Sequence, residues 1–244
     1  MIDAGVLGQR LADLTDGELI RLFWGAVVLS LVLPRIPYGR LLLYPFALLG
    51  TWAHEMGHGL TALLTGGRFR RLVIYRNLDG LAYFETGSLR RALVAAGGLL
   101  APAVVGGAFI IAGSREATAP FILTGLAAAL VISLVLFVRN AFGWLALALV
   151  AAALVPVAHY APETVRIFVA QMVGIQLCVA SWGSLDYMFT PHFHRSDGTY
   201  TESDTQMIAN VLLLPYWFWG ALIAAASITI LAVSFYLAWI APSV

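Results

Sequence analysis

LLLYPFALLGTWAHEMGHGLTALL, residues 41–64, decides how the rest of the chain is read. A helix rises about 1.5 Å per residue, so a run of this length crosses the roughly 30 Å hydrocarbon core of a bilayer. Its second half nevertheless carries His54, Glu55 and His58. Groups of this kind inside an apolar span bear a desolvation cost and are by default functional. The stretch therefore raises two questions: whether the whole chain belongs in lipid, and what the polar cluster does there.

Composition answers the first. Of 244 residues 61% are hydrophobic and 11% charged, against about 25% charged in ordinary soluble proteins. A chain with 14 basic and 13 acidic residues cannot cover the exterior of so apolar a globule, so lipid must be the solvent for most side chains. Around 41–64 lie six further apolar runs, at 19–33, 92–112, 119–138, 141–158, 165–190 and 207–240. The first is short and bounded by Arg21, Pro34 and Pro37, with a capping-box pattern at Thr15 and Glu18. The last is too long for one span, and Pro215 divides it. The fold class expected is an all-α polytopic membrane protein of about six to seven transmembrane helices in a single domain, 1–244.

Between the runs, 65–91 holds Leu72, Ile74, Leu81 and Tyr83 on either side of Asn77 and Asp79-Gly80, the pattern of a small β-hairpin with an Asp-Gly turn. Residues 191–206 form a second polar loop. Residues 1–18 lack the basic start of a signal peptide and read as a surface segment, with Ile2, Val6, Leu7, Leu11 and Leu14 at near-helical spacing. Every basic residue is arginine, and the net charge of +1 offers no broad surface for nucleic acid. In a seven-span topology ten arginines, among them Arg68, Arg70, Arg71, Arg90, Arg91 and Arg195, fall on one side and four on the other. The positive-inside rule makes the 65–91 side cytoplasmic, in the cell (inner) membrane.

The second question is one of chemistry. With Cys178 the lone cysteine, a metal site must use His, Asp and Glu. Two histidines four apart project from one helix face, close enough to share a Zn²⁺ at about 2.0–2.1 Å. Glu55 then sits beside a water whose pKa the metal lowers toward 7; the carboxylate takes the proton and delivers it to the leaving amine. That is machinery for peptide hydrolysis. With 5 His in the chain, a chance HExxH has a probability of about 0.0025. The bland reading is a polar helix contact, and Gly57 and Gly59 also suit close helix packing.

A third ligand must come from elsewhere. Asp186 lies near the end of the sixth run, at a depth similar to His58 in parallel spans, and a carboxylate there is costly unless paired or metal-bound. It is the expected ligand, with Asp204 the rival. Asp204 follows Ser203, which with Gln206 forms a capping box that accounts for an acid in a first helical turn. Asp79 reads as a turn residue. His192 and His194 read as solvated loop residues, His159 as a span-end residue, and Asn140 with Arg139 as the turn between the fourth and fifth runs.

Several of these stretches together resemble the site-2 protease family of intramembrane zinc metallopeptidases, in its compact branch without an inserted PDZ domain. His54 to His58 with Leu63-Leu64-Thr65-Gly66-Gly67 is similar to the family's first active-site helix, and 70–84 to the hairpin that follows it. Ala96-Gly97-Gly98-Leu99-Leu100-Ala101-Pro102, Val138 to Gly143, and Ser203-Asp204-Thr205 with Pro215 and Trp217 resemble later segments. The resemblance implies zinc held by His54 and His58, Glu55 as general base, and a membrane-embedded protein substrate, often cut to release a regulator and guided by the hairpin. The chain departs from the family at the third ligand: Leu185-Asp186 is followed by Tyr187 rather than Gly, with no Asn-Pro before it. A second class of function is a pseudoprotease that binds or assembles other membrane proteins. A transporter is a third, but paired broken helices are missing.

Overall fold

A computed structural model describes residues 4–183, 185–194 and 199–241; for 4–16, 182, 183 and 185 it describes the backbone alone. Arg195 of the charge count, and the apolar face expected of Ile2, Val6, Leu7, Leu11 and Leu14, lie outside the described residues and side chains. The chain forms α1 (Ala4–Val32), a 3₁₀ turn (Leu33–Arg35), α2 (Gly39–Leu64), β1 (Arg68–Ile74), β2 (Gly80–Glu85), α3 (Ser88–Gly113), α4 (Ala119–Leu136) and α5 (Ala141–Tyr160). There follow α6 (Glu163–Gly183), α7 (Leu185–Met188), β3 (His192–His194), β4 (Tyr200–Glu202), α8 (Asp204–Ala209) and α9 (Tyr216–Trp239).

Six helical stretches are long and apolar enough to cross a membrane: 17–35, 88–113, 119–136, 141–160, 163–188 and 216–239. The protein is a polytopic, mainly helical membrane protein, as its composition required. Helix α2 has the length, at 26 residues, but Thr51, His54, Glu55, His58 and Thr61 dilute its apolarity, and it packs inside the bundle against α3 and α6. No helix starts at Thr15, as the capping pattern predicted, because α1 runs through that position from Ala4. Pro215 does divide the last run: it is the N-cap of α9, where its missing N–H costs nothing.

The expected hairpin is present, antiparallel, with Leu72 opposite Ala82 and a register shift between Phe69 and Arg71. Its turn differs. Gly80 already pairs with Ile74, so the loop is residues 75–79, closed by Tyr75 N–H to Asp79 O at 2.8 Å and Leu78 N–H to Tyr75 O at 3.1 Å. Leu78, not Gly80, takes the left-handed conformation, with φ of 70°. Asp79 serves as a turn residue, accepting a hydrogen bond from Asn77 Nδ2 at 2.9 Å.

The hairpin does not hang free of the helices. Along α2, Tyr44 donates to Arg76 O at 2.8 Å and Thr51 to Leu78 O at 2.8 Å. On the other side the turn after α4 takes up the outer edge of β1. Leu72 N–H donates to Phe137 O at 2.8 Å and Arg139 N–H to Leu72 O at 3.0 Å. Asn140 completes the edge, accepting from Ile74 N–H at 3.2 Å and donating to Ile74 O at 2.7 Å. The turn assigned to Arg139 and Asn140 is thus also a clamp. Asn140→Ala leaves both Ile74 groups unpaired and should destabilise the folded protein by about 1–3 kcal/mol, measurable as reversible unfolding in detergent.

Candidate metal centre

Helix geometry places His54, Glu55 and His58 on the α2 face that looks toward α3 and the hairpin. The imidazoles lie edge to face, with centroids 4.6 Å apart and Nε2 atoms 3.1 Å apart. His58 is buried, and its Nδ1 lies 2.9 Å from Val94 O on α3. A carbonyl can only accept, so Nδ1 carries the hydrogen and Nε2 presents a lone pair. The ring fits because residue 98 on α3 is glycine: a Cβ there would come within 2.2 Å of the His58 ring.

The partner of this pair is Asp204. Its Oδ2 lies 3.3 Å from His54 Nε2 and 3.3 Å from His58 Nε2. Ser203, Asp204 and Thr205 are all buried, and their short segment is tied down on every side. Ser203 Oγ accepts from Gln206 N–H at 3.2 Å, Ser203 N–H donates to Pro191 O at 2.9 Å, and Thr205 Oγ1 donates to Met188 O at 2.8 Å. Within that segment Asp204 Oδ2 is the one buried side-chain oxygen with no hydrogen-bond partner.

The structure does not bring Asp186, the expected third ligand, to this cluster. Asp186 sits on the four-residue α7 with its side chain exposed, and the described acid that joins the histidines is Asp204. A depth counted along the sixth run fixes height alone and not which way a side chain faces, and that of Asp186 is exposed. The capping inference for Ser203 was sound. It accounts for the backbone of Asp204 and is silent about where the side chain goes. Asp79, His159, His192 and His194 are not part of the cluster.

The donor set passes a simple test for a metal. Three groups with lone pairs turned toward one point repel unless a cation or protons lie between them. A tetrahedral ion with bonds of about 2.0–2.1 Å spaces its donors about 3.3 Å apart, and the three separations here are 3.1, 3.3 and 3.3 Å. Two imidazoles and a carboxylate leave a fourth position, the signature of a reactive site rather than a closed structural one.

Glu55 is buried beside this triangle but outside it. Its Oε2 accepts the Ala82 N–H of β2 at 2.6 Å, and Gly80 gives it room, since a Cβ there would lie 2.5 Å from Glu55 Cγ. In front lies a cavity of ≈ 720 Å³ whose walls include His54, Glu55, His58, Asp204, Ala82 and Tyr187. A family model described as Peptidase M50B-like matches residues 22–234.

The chain belongs to that family. This is the site-2 protease family that the sequence resembled. No curated protein and no solved structure matches the chain. In this M50B-like chain the acid-bearing segment at the start of α8 lies against the two histidines of α2. Gly98→Ala, which drives a methyl group into the His58 ring, should weaken zinc affinity by about 10–100-fold, read by competition with a chromophoric chelator.

Proposed function

We propose that this M50B-like protein is an intramembrane zinc endopeptidase that hydrolyses peptide bonds of membrane-embedded protein substrates. The observation that carries this reading is the buried, unpartnered Asp204 Oδ2 held 3.3 Å from both histidine Nε2 atoms, next to Glu55. His54, His58 and Asp204 hold the zinc. When bound, zinc supplies Lewis acidity, lowering the pKa of a water toward 7 and polarising the scissile carbonyl.

The protein's own groups do the rest. Glu55 is the general base. Its Oε2 is anchored by the Ala82 N–H, which aims the carboxylate and leaves Oε1 to take a proton from water. The same carboxylate then delivers that proton to the nitrogen of the broken amide. Val94 O keeps His58 in the tautomer that offers Nε2 as a donor.

A substrate helix must unwind to expose a peptide bond, and its freed backbone groups need partners in a medium without water. The hairpin offers them. Among the described residues β1 and β2 form a two-stranded sheet. The edge of β2 away from β1 borders the cavity through Gly80, Ala82 and Phe84; Glu55 holds the Ala82 N–H, so an extended segment adds as a third strand through the remaining outward groups of that edge. Arg68, Arg70, Arg71, Arg90 and Arg91 are exposed around the base of the hairpin, which supports an active site opening toward the cytoplasmic face of the cell membrane.

Glu55→Gln keeps an acceptor for the Ala82 N–H but cannot take a proton. Cleavage of a model transmembrane substrate should fall by about 10²–10⁴-fold while one zinc per chain is retained; equal cleavage by variant and parent would refute this role for Glu55, and a zinc-loaded parent that cleaves nothing would place the protein among pseudoproteases. Asp204→Asn should lose zinc and Asp186→Asn should keep it, measured as metal content after gel filtration in detergent. The reverse order would refute the ligand set.

A further inference from the structure

The stretch Leu185-Asp186-Tyr187-Met188, which drew attention for its carboxylate, carries a different group close to the site. Resting on the zinc reading above, we infer that Tyr187 is the residue that seats Asp204 as a metal ligand, acting on zinc affinity through that carboxylate.

The argument starts from helix α8. The first N–H groups of any helix have no partner within it, and in α8 the orphans are shared out. Ser203 Oγ takes Gln206 N–H and Ser203 O takes Met207 N–H. The N–H of Asp204 itself is taken from outside the helix, by the phenolic oxygen of Tyr187 at 3.0 Å. A buried amide that lost this acceptor would be unpaired, at a cost of about 1–3 kcal/mol, and would have to swing toward another. Such a swing moves the attached carboxylate.

Three further contacts hold the tyrosine in place. Its ring meets Phe193 of β3 edge to face, with centroids 4.9 Å apart. The next residue, Met188, is buried and accepts from Thr205 Oγ1 at 2.8 Å. The same Met188 O packs against Gly220 of α9, where a Cβ would come within 2.7 Å. Residues 187–188 and 204–205 are thus cross-linked side by side, twice, by hydrogen bonds. The phenol also lines the catalytic cavity, so it lies between the cavity and the backbone of the third ligand.

Both imidazoles ride on α2, a rigid helix, and need no such device. Asp204 rides on a six-residue helix between a two-stranded turn and α9. Its position is fixed by contacts from outside the helix, of which that of Tyr187 is made to the amide of Asp204 itself. Partners that orient a metal ligand typically contribute about 10–100-fold to metal affinity.

The test is a double-mutant cycle on the full chain in detergent, with Zn²⁺ as probe against a competing chelator, and with the thermal midpoint of the metal-free protein as a folding check. Tyr187→Phe keeps the ring and its packing on Phe193. It should weaken zinc binding by about 10–100-fold with the metal-free midpoint little changed. Cleavage by this variant should recover when free zinc is raised above the new dissociation constant, which a merely misfolded protein would not show. In an Asp204→Asn background the same change should have no further effect on zinc. Parent-like zinc affinity in Tyr187→Phe, with Asp204→Asn weakened, overturns the role of Tyr187 and leaves the metal centre standing. Parent-like affinity in Asp204→Asn overturns the metal centre itself. Should Tyr187→Phe unfold, Phe193→Leu, which loosens the ring and keeps the hydroxyl, should give a smaller loss in the same direction; full affinity there is likewise contrary to the proposal.

Discussion

Three lone pairs, on His54 Nε2, His58 Nε2 and Asp204 Oδ2, are turned toward one point in a protein whose surroundings contain almost no water. Around the site the fold behaves as lipid demands: polar groups that hold it together are paired within the chain, because an unmet one costs about 1–3 kcal/mol or more in hydrocarbon. Asn140 satisfies Ile74, Tyr187 satisfies the amide of Asp204, and Val94 satisfies the outer nitrogen of His58. The triangle escapes that rule only if a cation supplies the missing partner. Much of the bundle can be read as scaffolding for it: α2 for two donors, α3 for the tautomer of one, and the α7–α8 segment for the third.

Burial of a β-hairpin among membrane helices poses the same problem at larger scale, since a strand edge is a row of unpaired groups. On β1 the edge is met by Phe137 O, Arg139 N–H and the Asn140 side chain. On β2 it is met at Ala82 by Glu55. One carboxylate therefore closes part of the hairpin's edge and stands beside the metal donors, which couples the position of the hairpin to the base. Leu78, held at φ of 70°, is the backbone strain that this docking entails, and its carbonyl is secured by Thr51. Strain of about 1–3 kcal/mol at such a residue persists only where surrounding contacts over-determine it.

How far the sequence alone could go follows from which of these features are local. The HExxH face is local: a spacing of four on an apolar helix fixes two donors and a base whatever the rest does, and the apolar runs at 92–112, 119–138 and 141–158 become α3, α4 and α5 for the same reason. The hairpin too was legible, from period-two alternation around turn residues. Its turn was not, because Gly80 answers to Glu55, a residue on another element, rather than to turn geometry. That Asp204 meets the two histidines was not legible either, for a related cause. A Ser-Asp-Thr-Gln cap explains an acid completely at the level of the helix, so nothing prompts a second use for it. The available signal was Met207, Ile208, Val211 and Leu212 just beyond: apolar residues at helical spacing imply that the little helix is buried, and a buried first turn carries its acid inward with it.

That burial also bears on why the third donor comes from so far along the chain. Two histidines on one helix bind a cation whether or not the remaining helices have assembled. A carboxylate from α8 depends on tertiary packing for its place beside them, through Tyr187, Met188 and Gly220. Peptidase chemistry loose in a membrane would be hazardous to its neighbours. A donor set that relies on this packing is tied to the same fold that forms the cavity and the hairpin edge beside it.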